Sequence, residues 1–126
     1  MAEERTIVVI DDEVEICDLL KDLLTAEGYK VSTATDSEQG LQMAMKQRPD
    51  LVLLDMNMPR MDGIEVLRQI KKADEAISVI IITGFININL ARDAMRLGAF
   101  DYITKPFDLA YVKALVENAL EQSLTA

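Results

Sequence analysis

The sequence predicts an α/β domain: a doubly wound parallel sheet of five strands with five helices on its two faces. Two observations carry this. The strand-like segments are short, continuous apolar runs such as Ile7-Val8-Val9-Ile10 and Val79-Ile80-Ile81-Ile82, as strands covered on both faces require; half-exposed antiparallel strands would alternate apolar with polar. Between them lie segments with apolar residues at three- and four-residue spacing, the period of a helix with one buried face. Strand and helix alternate five times along the 126 residues, and right-handed crossovers turn that alternation into a parallel sheet. At 50% hydrophobic residues the chain can bury a core as one domain over residues 1–126, structured from about residue 5 to 121.

The elements follow in order. Strands are expected at residues 6–10, 30–35, 50–54, 78–83 and 99–104. The first helix carries Ile16, Leu19, Leu20, Leu23 and Leu24 on its apolar side, with Glu15, Asp18, Lys21 and Asp22 opposite, and Gly28 ends it. The second spans residues 37–47, with Asp36 or Ser37 as N-cap and Pro49 beyond its end. Asp62-Gly63 opens the third, which carries Ile64, Val66, Leu67 and Ile70 and ends near Lys71-Lys72. Residues 87–97 form the fourth, stopped by Gly98. Asp108 caps the fifth, whose stripe is Leu109, Val112, Leu115, Val116, Ala119 and Leu120, and the tail from Gln122 is expected to fray.

Composition excludes several functions. The chain has no histidine, so Ser-His-Asp and Cys-His catalysis and His-containing zinc sites are ruled out. Its one cysteine, Cys17, falls in the first helix's apolar register and reads as a core residue. Thirteen Lys and Arg against 22 Asp and Glu give a formal charge of −9, which disfavours nucleic acid and anionic membranes as partners. The acidic start Met1-Ala2-Glu3-Glu4-Arg5 is not a secretory n-region, and no apolar run approaches the roughly 20 residues of a membrane span. A cytoplasmic location is expected.

Open α/β sheets bind ligands outside the carboxyl ends of their strands. Strand one ends in Asp11-Asp12, strand three in Asp55, strand four in Thr83 and strand five in Thr104-Lys105-Pro106. If strands one and three are neighbours, three carboxylates converge, and each raises the others' pKa unless a cation joins them. Hard oxygen ligands of net negative charge suit Mg²⁺ or Mn²⁺. A carboxylate so placed can attack phosphorus, with Asp55, alone at its strand end, as nucleophile, Lys105 as a second positive charge, and the Thr83 hydroxyl as donor to a phosphoryl oxygen.

These residues resemble the receiver domains of two-component response regulators. The resemblance rests on Asp11-Asp12 after the first apolar run, on Leu53-Leu54-Asp55-Met56-Asn57-Met58-Pro59-Arg60-Met61-Asp62-Gly63, on Thr83-Gly84, on Gly98-Ala99-Phe100-Asp101-Tyr102 and on Lys105-Pro106-Phe107. It covers essentially the whole chain and implies strand order 2-1-3-4-5, the flavodoxin-like arrangement of the CheY-like superfamily. It implies Asp55 as phosphoacceptor, supplied by the phosphohistidine of a sensor histidine kinase. Asp12, Asp55 and the main-chain carbonyl of Asn57 would ligate Mg²⁺, with Asp11 acting through a water. Thr83 and Lys105 would bind the phosphoryl group, Tyr102 would be the aromatic switch, and Lys105-Pro106 would be a cis peptide. Such a domain is a signalling phosphoacceptor that catalyses its own phosphorylation and dephosphorylation. The stretch from Gly98 to Leu109 looks most like NtrC-type receivers, which precede AAA+ transcriptional activators. The signal would be read by an output domain in cis or a protein target in trans, with room for a phosphorylation-linked homodimer.

Other readings fit less well. A haloacid-dehalogenase-type phosphatase needs an acid/base Asp two residues after its nucleophile, where this chain has Asn57. A flavodoxin-like FMN site needs a Ser/Thr/Gly-rich phosphate loop, where Asp11-Asp12-Glu13 would repel phosphate. A phosphorylation-independent interaction module would not need the intact constellation. Asp62 and Asp108 read as helix caps, Gly63, Gly84 and Gly98 as backbone-geometry positions, and Met56, Met58 and Met61 as packing residues.

The segment after strand four, Phe85-Ile86-Asn87-Ile88-Asn89-Leu90, is more apolar than a solvated loop and helix start require. Ile88, Ala91, Arg92 and Met95 share a helical face beside Tyr102 and read as a docking or dimer face, part of a helix 4/strand 5/helix 5 surface. Phe85 stands two residues after Thr83, where the family sets water access to the aspartyl phosphate, and an apolar ring cannot orient a water. Phe85→Glu is therefore expected to shorten the phosphate lifetime; an unchanged or longer lifetime in a phosphate-release assay contradicts this.

Overall fold

The computed structural model describes residues 4–59, 62–84 and 88–125, with side chains described through residue 121. Five strands and five helices alternate: β1 (Thr6–Ile10), α1 (Val14–Ala26), β2 (Lys30–Ala34), α2 (Ser37–Gln47), β3 (Leu51–Asp55), α3 (Gly63–Ala73), β4 (Ser78–Thr83), α4 (Ile88–Arg96), β5 (Asp101–Thr104) and α5 (Leu109–Thr125). The strands form one parallel sheet in the order β2-β1-β3-β4-β5.

Two cores explain the unbroken apolar runs. Ile7, Val9, Leu51, Leu53, Ile80, Ile82 and Ile103 point to one face, under Cys17, Leu20 and Leu24 of α1 and Val112, Leu115, Val116 and Ala119 of α5. Val8, Ile10, Val52, Leu54, Val79 and Ile81 point to the other, under Leu41 and Ala44 of α2, Val66, Leu67 and Ile70 of α3 and Ala94 of α4. Successive strand residues thus serve opposite cores, as a period of two demands. Burial at about 25 cal/mol per Å² of apolar surface makes both layers the main source of stability.

Where elements end differently from expectation, a local bond is responsible. Asp50 lies just before β3: its N–H donates to Thr6 O at 2.9 Å and its carbonyl accepts the Ser78 N–H at 3.1 Å, while its carboxylate accepts the Thr6 N–H at 2.9 Å and faces Arg5 Nη1 at 3.5 Å. β3 instead extends through Asp55, since the next N–H, that of Met56, still pairs with Ile82 O of β4 at 2.9 Å. β2 stops at Ala34, whose carbonyl takes the Asp11 N–H, and Thr35 leads into the α2 cap. β5 starts at Asp101, because the Ala99 N–H is turned back to Ala94 O to close α4. Leu19, expected in the apolar stripe of α1, is 41% exposed; the buried line runs through Cys17, Leu20 and Leu24, with Ile16 and Leu23 flanking it. α5 continues past Gln122 to Thr125. Asn87, expected to open α4, lies outside the described residues, as do Arg60, Met61, Phe85 and Ile86.

The caps are built as the sequence suggests. Asp36, Asp62 and Asp108 accept the N–H of Glu38, Ile64 and Ala110 at 3.1, 3.0 and 2.9 Å. Gly98 has a φ of +105°, which a side chain rarely adopts. Gly63 is required for space instead, since a Cβ there would lie 2.7 Å from Met56 Sδ. Gly40 brings α2 down onto β1: a Cβ would meet three carbons of the Ile10 side chain at 2.6–2.7 Å. Gly40→Ala is therefore expected to lower unfolding free energy by about 1–3 kcal/mol, the usual cost of overpacking. A denaturant titration with an unchanged midpoint would count against this packing.

Candidate functional site

The parallel register places the site. Ile10 of β1 is paired with Leu54 of β3, so Asp11 and Asp55 emerge side by side at the carboxyl end of the sheet. Asp55 is in turn level with Ile82 of β4, which puts Thr83 one residue further along the same edge, and Thr83 is level with Thr104, the residue before Lys105. Four strand ends therefore deliver Asp11, Asp12, Asp55, Thr83 and Lys105 to one place. Carboxylate oxygens of Asp11, Asp12 and Asp55 all lie within 4.8 Å of one another.

Their environments differ. Asp11 and Asp55 are buried, whereas Asp12 is exposed. Asp11 Oδ1 accepts the Glu13 N–H at 2.9 Å, and Asp55 Oδ1 accepts the Asn57 N–H at 3.0 Å. Lys105 Nζ then lies 2.9 Å from Asp11 Oδ2, 3.2 Å from Glu13 Oε2 and 3.5 Å from Asp55 Oδ2. Its backbone is held at this edge by its N–H, which donates to Thr83 O at 2.8 Å; the Lys105–Pro106 peptide is cis. Thr83 Oγ1 donates to Asn57 Oδ1 at 2.8 Å, and the Gly84 N–H reaches the same oxygen at 3.2 Å.

The electrostatics follow from four acids, Asp11, Asp12, Glu13 and Asp55, and one base, Lys105. Burial pushes the Asp55 carboxyl above its ordinary value and the Asp11 charge adds to this, with the Asn57 N–H and Lys105 opposing. Asp12 is also raised, by desolvation and by the charge of Asp55. Burial pulls the Lys105 ammonium down, yet the carboxylates of Asp11, Asp55 and Glu13 outweigh it and hold the group above the ordinary lysine range. Such a set of oxygen ligands with surplus negative charge suits a hard divalent cation.

Two contacts lay beyond the sequence reading. Glu13 joins the site through Lys105, and the Asn57 side chain holds Thr83. The run Asp11-Asp12-Glu13 was the available signal for the first; nothing in the spacing marks the second. Away from the strand ends, Ile88, Met95 and Tyr102 are 71%, 45% and 39% exposed, Arg92 is exposed and Ala91 half-buried, so the expected docking face is at the surface.

Raised carboxyl pKa values make the metal-free site a source of instability. Between the ordinary value of 3.8 and the raised values, the folded chain holds protons that the unfolded chain has released, so stability falls as pH rises through that window. With chelator present, Asp12→Asn is expected to unfold at higher denaturant than the parent at pH 7, the gap closing as pH falls below the ordinary carboxyl range. Equal midpoints at pH 7 would refute the mutual repulsion.

Comparison with known proteins bears on this arrangement. Residues 7–117 match the family model of the response regulator receiver domain. The chain is 40% identical over 114 residues to sporulation initiation phosphotransferase F of Bacillus subtilis, covering 90% of this chain and 92% of that protein. It is 40% identical over 114 residues to the transcriptional regulatory protein ZraR of Escherichia coli K12, covering 90% of this chain but only 26% of ZraR. A crystal structure of a CheY-like receiver domain protein from Methanospirillum hungatei superposes with a TM-score of 0.95 at 27% identity, over 98% of both chains. No helix among the described residues is long and apolar enough to cross a membrane. The match over most of the chain, on a sheet of order 2-1-3-4-5 with an acidic cluster at its carboxyl edge, places this chain in the receiver-domain family of two-component response regulators.

Proposed function

We propose that Asp55 accepts a phosphoryl group from the phosphohistidine of a sensor histidine kinase. The observation that carries this is the convergence of Asp11, Asp12 and Asp55 with Lys105 at the carboxyl edge of the sheet. An Asp55 carboxylate oxygen attacks phosphorus, the bond from phosphorus to the donor nitrogen breaks, and a mixed anhydride forms. Asp12, Asp55 and the Asn57 carbonyl would hold Mg²⁺ or Mn²⁺, with Asp11 acting through a water. When bound there, such a cation would neutralise charge on phosphoryl oxygens and relieve the repulsion among the acids.

The chain's own residues do the rest. The Asn57 N–H at 3.0 Å orients the Asp55 carboxylate. Lys105, already 3.5 Å from Asp55 Oδ2, needs only a small movement to pair with an added phosphoryl oxygen. Thr83 must leave Asn57 Oδ1 to donate to the same group, so the Asn57–Thr83 bond characterises the unphosphorylated state. Thr83 movement is the first step of a two-state change that Tyr102 and the face of Ile88, Ala91, Arg92 and Met95 pass on to a partner. That partner is an output domain in cis, a protein target in trans or a second copy of the chain, and the reaction takes place in the cytoplasm. A phosphatase reading is disfavoured by Asn57, whose amide has no proton to transfer and already accepts from Thr83 and Gly84.

Incubation with acetyl phosphate and Mg²⁺ is expected to add one base-labile phosphoryl group, read by intact mass. Asp55→Ala and EDTA should each abolish it. Uptake by Asp55→Ala, or uptake unaffected by EDTA, would overturn the assignment.

A further inference from the structure

Glu13 stands apart from the acids that surround it. It is the N-cap of α1, yet its side chain makes no hydrogen bond to the helix it caps. Its N–H is fixed on Asp11 Oδ1 at 2.9 Å, and its carboxylate reaches instead to Lys105 Nζ at 3.2 Å, bridging the loop after β1 to the loop after β5. Of the three carboxylates on Lys105, Asp11 and Asp55 have side chains that are 0% and 2% exposed, while Glu13 is 58% exposed.

One ammonium is thus shared by three acids, and they do not stay equivalent. The Asp11 and Asp55 charges belong to the cluster that a cation would neutralise. Glu13 lies outside that cluster and keeps its full claim on Lys105. A phosphoryl group on Asp55 needs Lys105 for itself. We infer that Glu13 is a positioning residue that restrains Lys105 in the unphosphorylated state and so weakens the site's hold on a phosphoryl group. This deepens the reading of Asp55 as phosphoacceptor and rests on it.

The restraint has the size and salt sensitivity of an exposed ion pair. Glu13→Gln keeps the length of the side chain and its backbone N–H but removes the charge. In the presence of Mg²⁺, beryllium fluoride serves as the probe, because it forms a phosphoryl-like group on a carboxylate. Its binding is read as the midpoint of a thermal-shift titration.

The expected result is a midpoint about two- to fivefold lower for Glu13→Gln than for the parent at low salt. The gap should close at about 1 M salt, where screening acts over roughly 3 Å. Equal midpoints, a higher midpoint in the variant, or a gap that salt does not change would overturn the inference, the last because it would mark a steric effect. If the parent itself fails to respond, or Asp55→Asn responds as the parent does, the phosphoacceptor reading falls and this inference with it. A responding parent with an indifferent Glu13→Gln leaves that reading standing and removes only the role of Glu13.

Discussion

Repulsion among three carboxylates is the constraint around which the carboxyl edge of the sheet is arranged. Asp11 and Asp55 are fixed beside each other by the pairing of β1 with β3, which the fold cannot alter without moving Ile10 and Leu54 out of the core. Two buried acids of like charge would favour protonation or separation. Here each carboxylate has one oxygen tied to a main-chain N–H two residues on, and the second oxygen turned to Lys105. The N–H bond from Lys105 to Thr83 O ties the lysine to the same edge. The site is therefore held in tension that an added cation or phosphoryl group can resolve.

The remainder of the fold serves to keep this edge rigid. Strand residues alternate between two cores, so neither face of the central strands is free to slide. Gly40 and Gly63 let α2 and the start of α3 approach Ile10 and Met56 at distances no larger residue would tolerate. Both contacts lie next to functional positions, Ile10 before Asp11 and Met56 after Asp55. Tight packing is thus concentrated one residue away from the chemistry, where a small displacement would matter most.

Much of this was legible in the sequence, and the reasons are specific. Strand ends were readable because each continuous apolar run stops at a polar residue, and those polar residues are Asp11, Asp55, Thr83 and, one place on, Lys105. Helix starts were readable where an Asp precedes the apolar period, as Asp36, Asp62 and Asp108 do. What could not be read depends on direction in space. Leu19 fits the helical period but lies at the edge of the buried arc, and only the packing angle of α1 decides that it faces water. Ala99 looks like a strand residue until its N–H is spent on Ala94 O. Glu13 and the side chain of Asn57 act across loops separated by 92 and 26 residues, a relation that no local spacing encodes.

The lone cysteine has a use of its own. Cys17 is 2% exposed beneath the site, and its Sγ lies 3.2 Å from the carbonyl oxygen of Asp11. Burial, with the Asp11 charge adding to it, pushes its thiol up to about 11, so at neutral pH it stays a protonated donor. A thiolate is the form that reacts, and this one is both scarce and enclosed. A thiol reagent therefore meets Cys17 only when α1 lifts from β1, which makes its labelling rate a clock for the opening of the helix that starts at the phosphorylation edge.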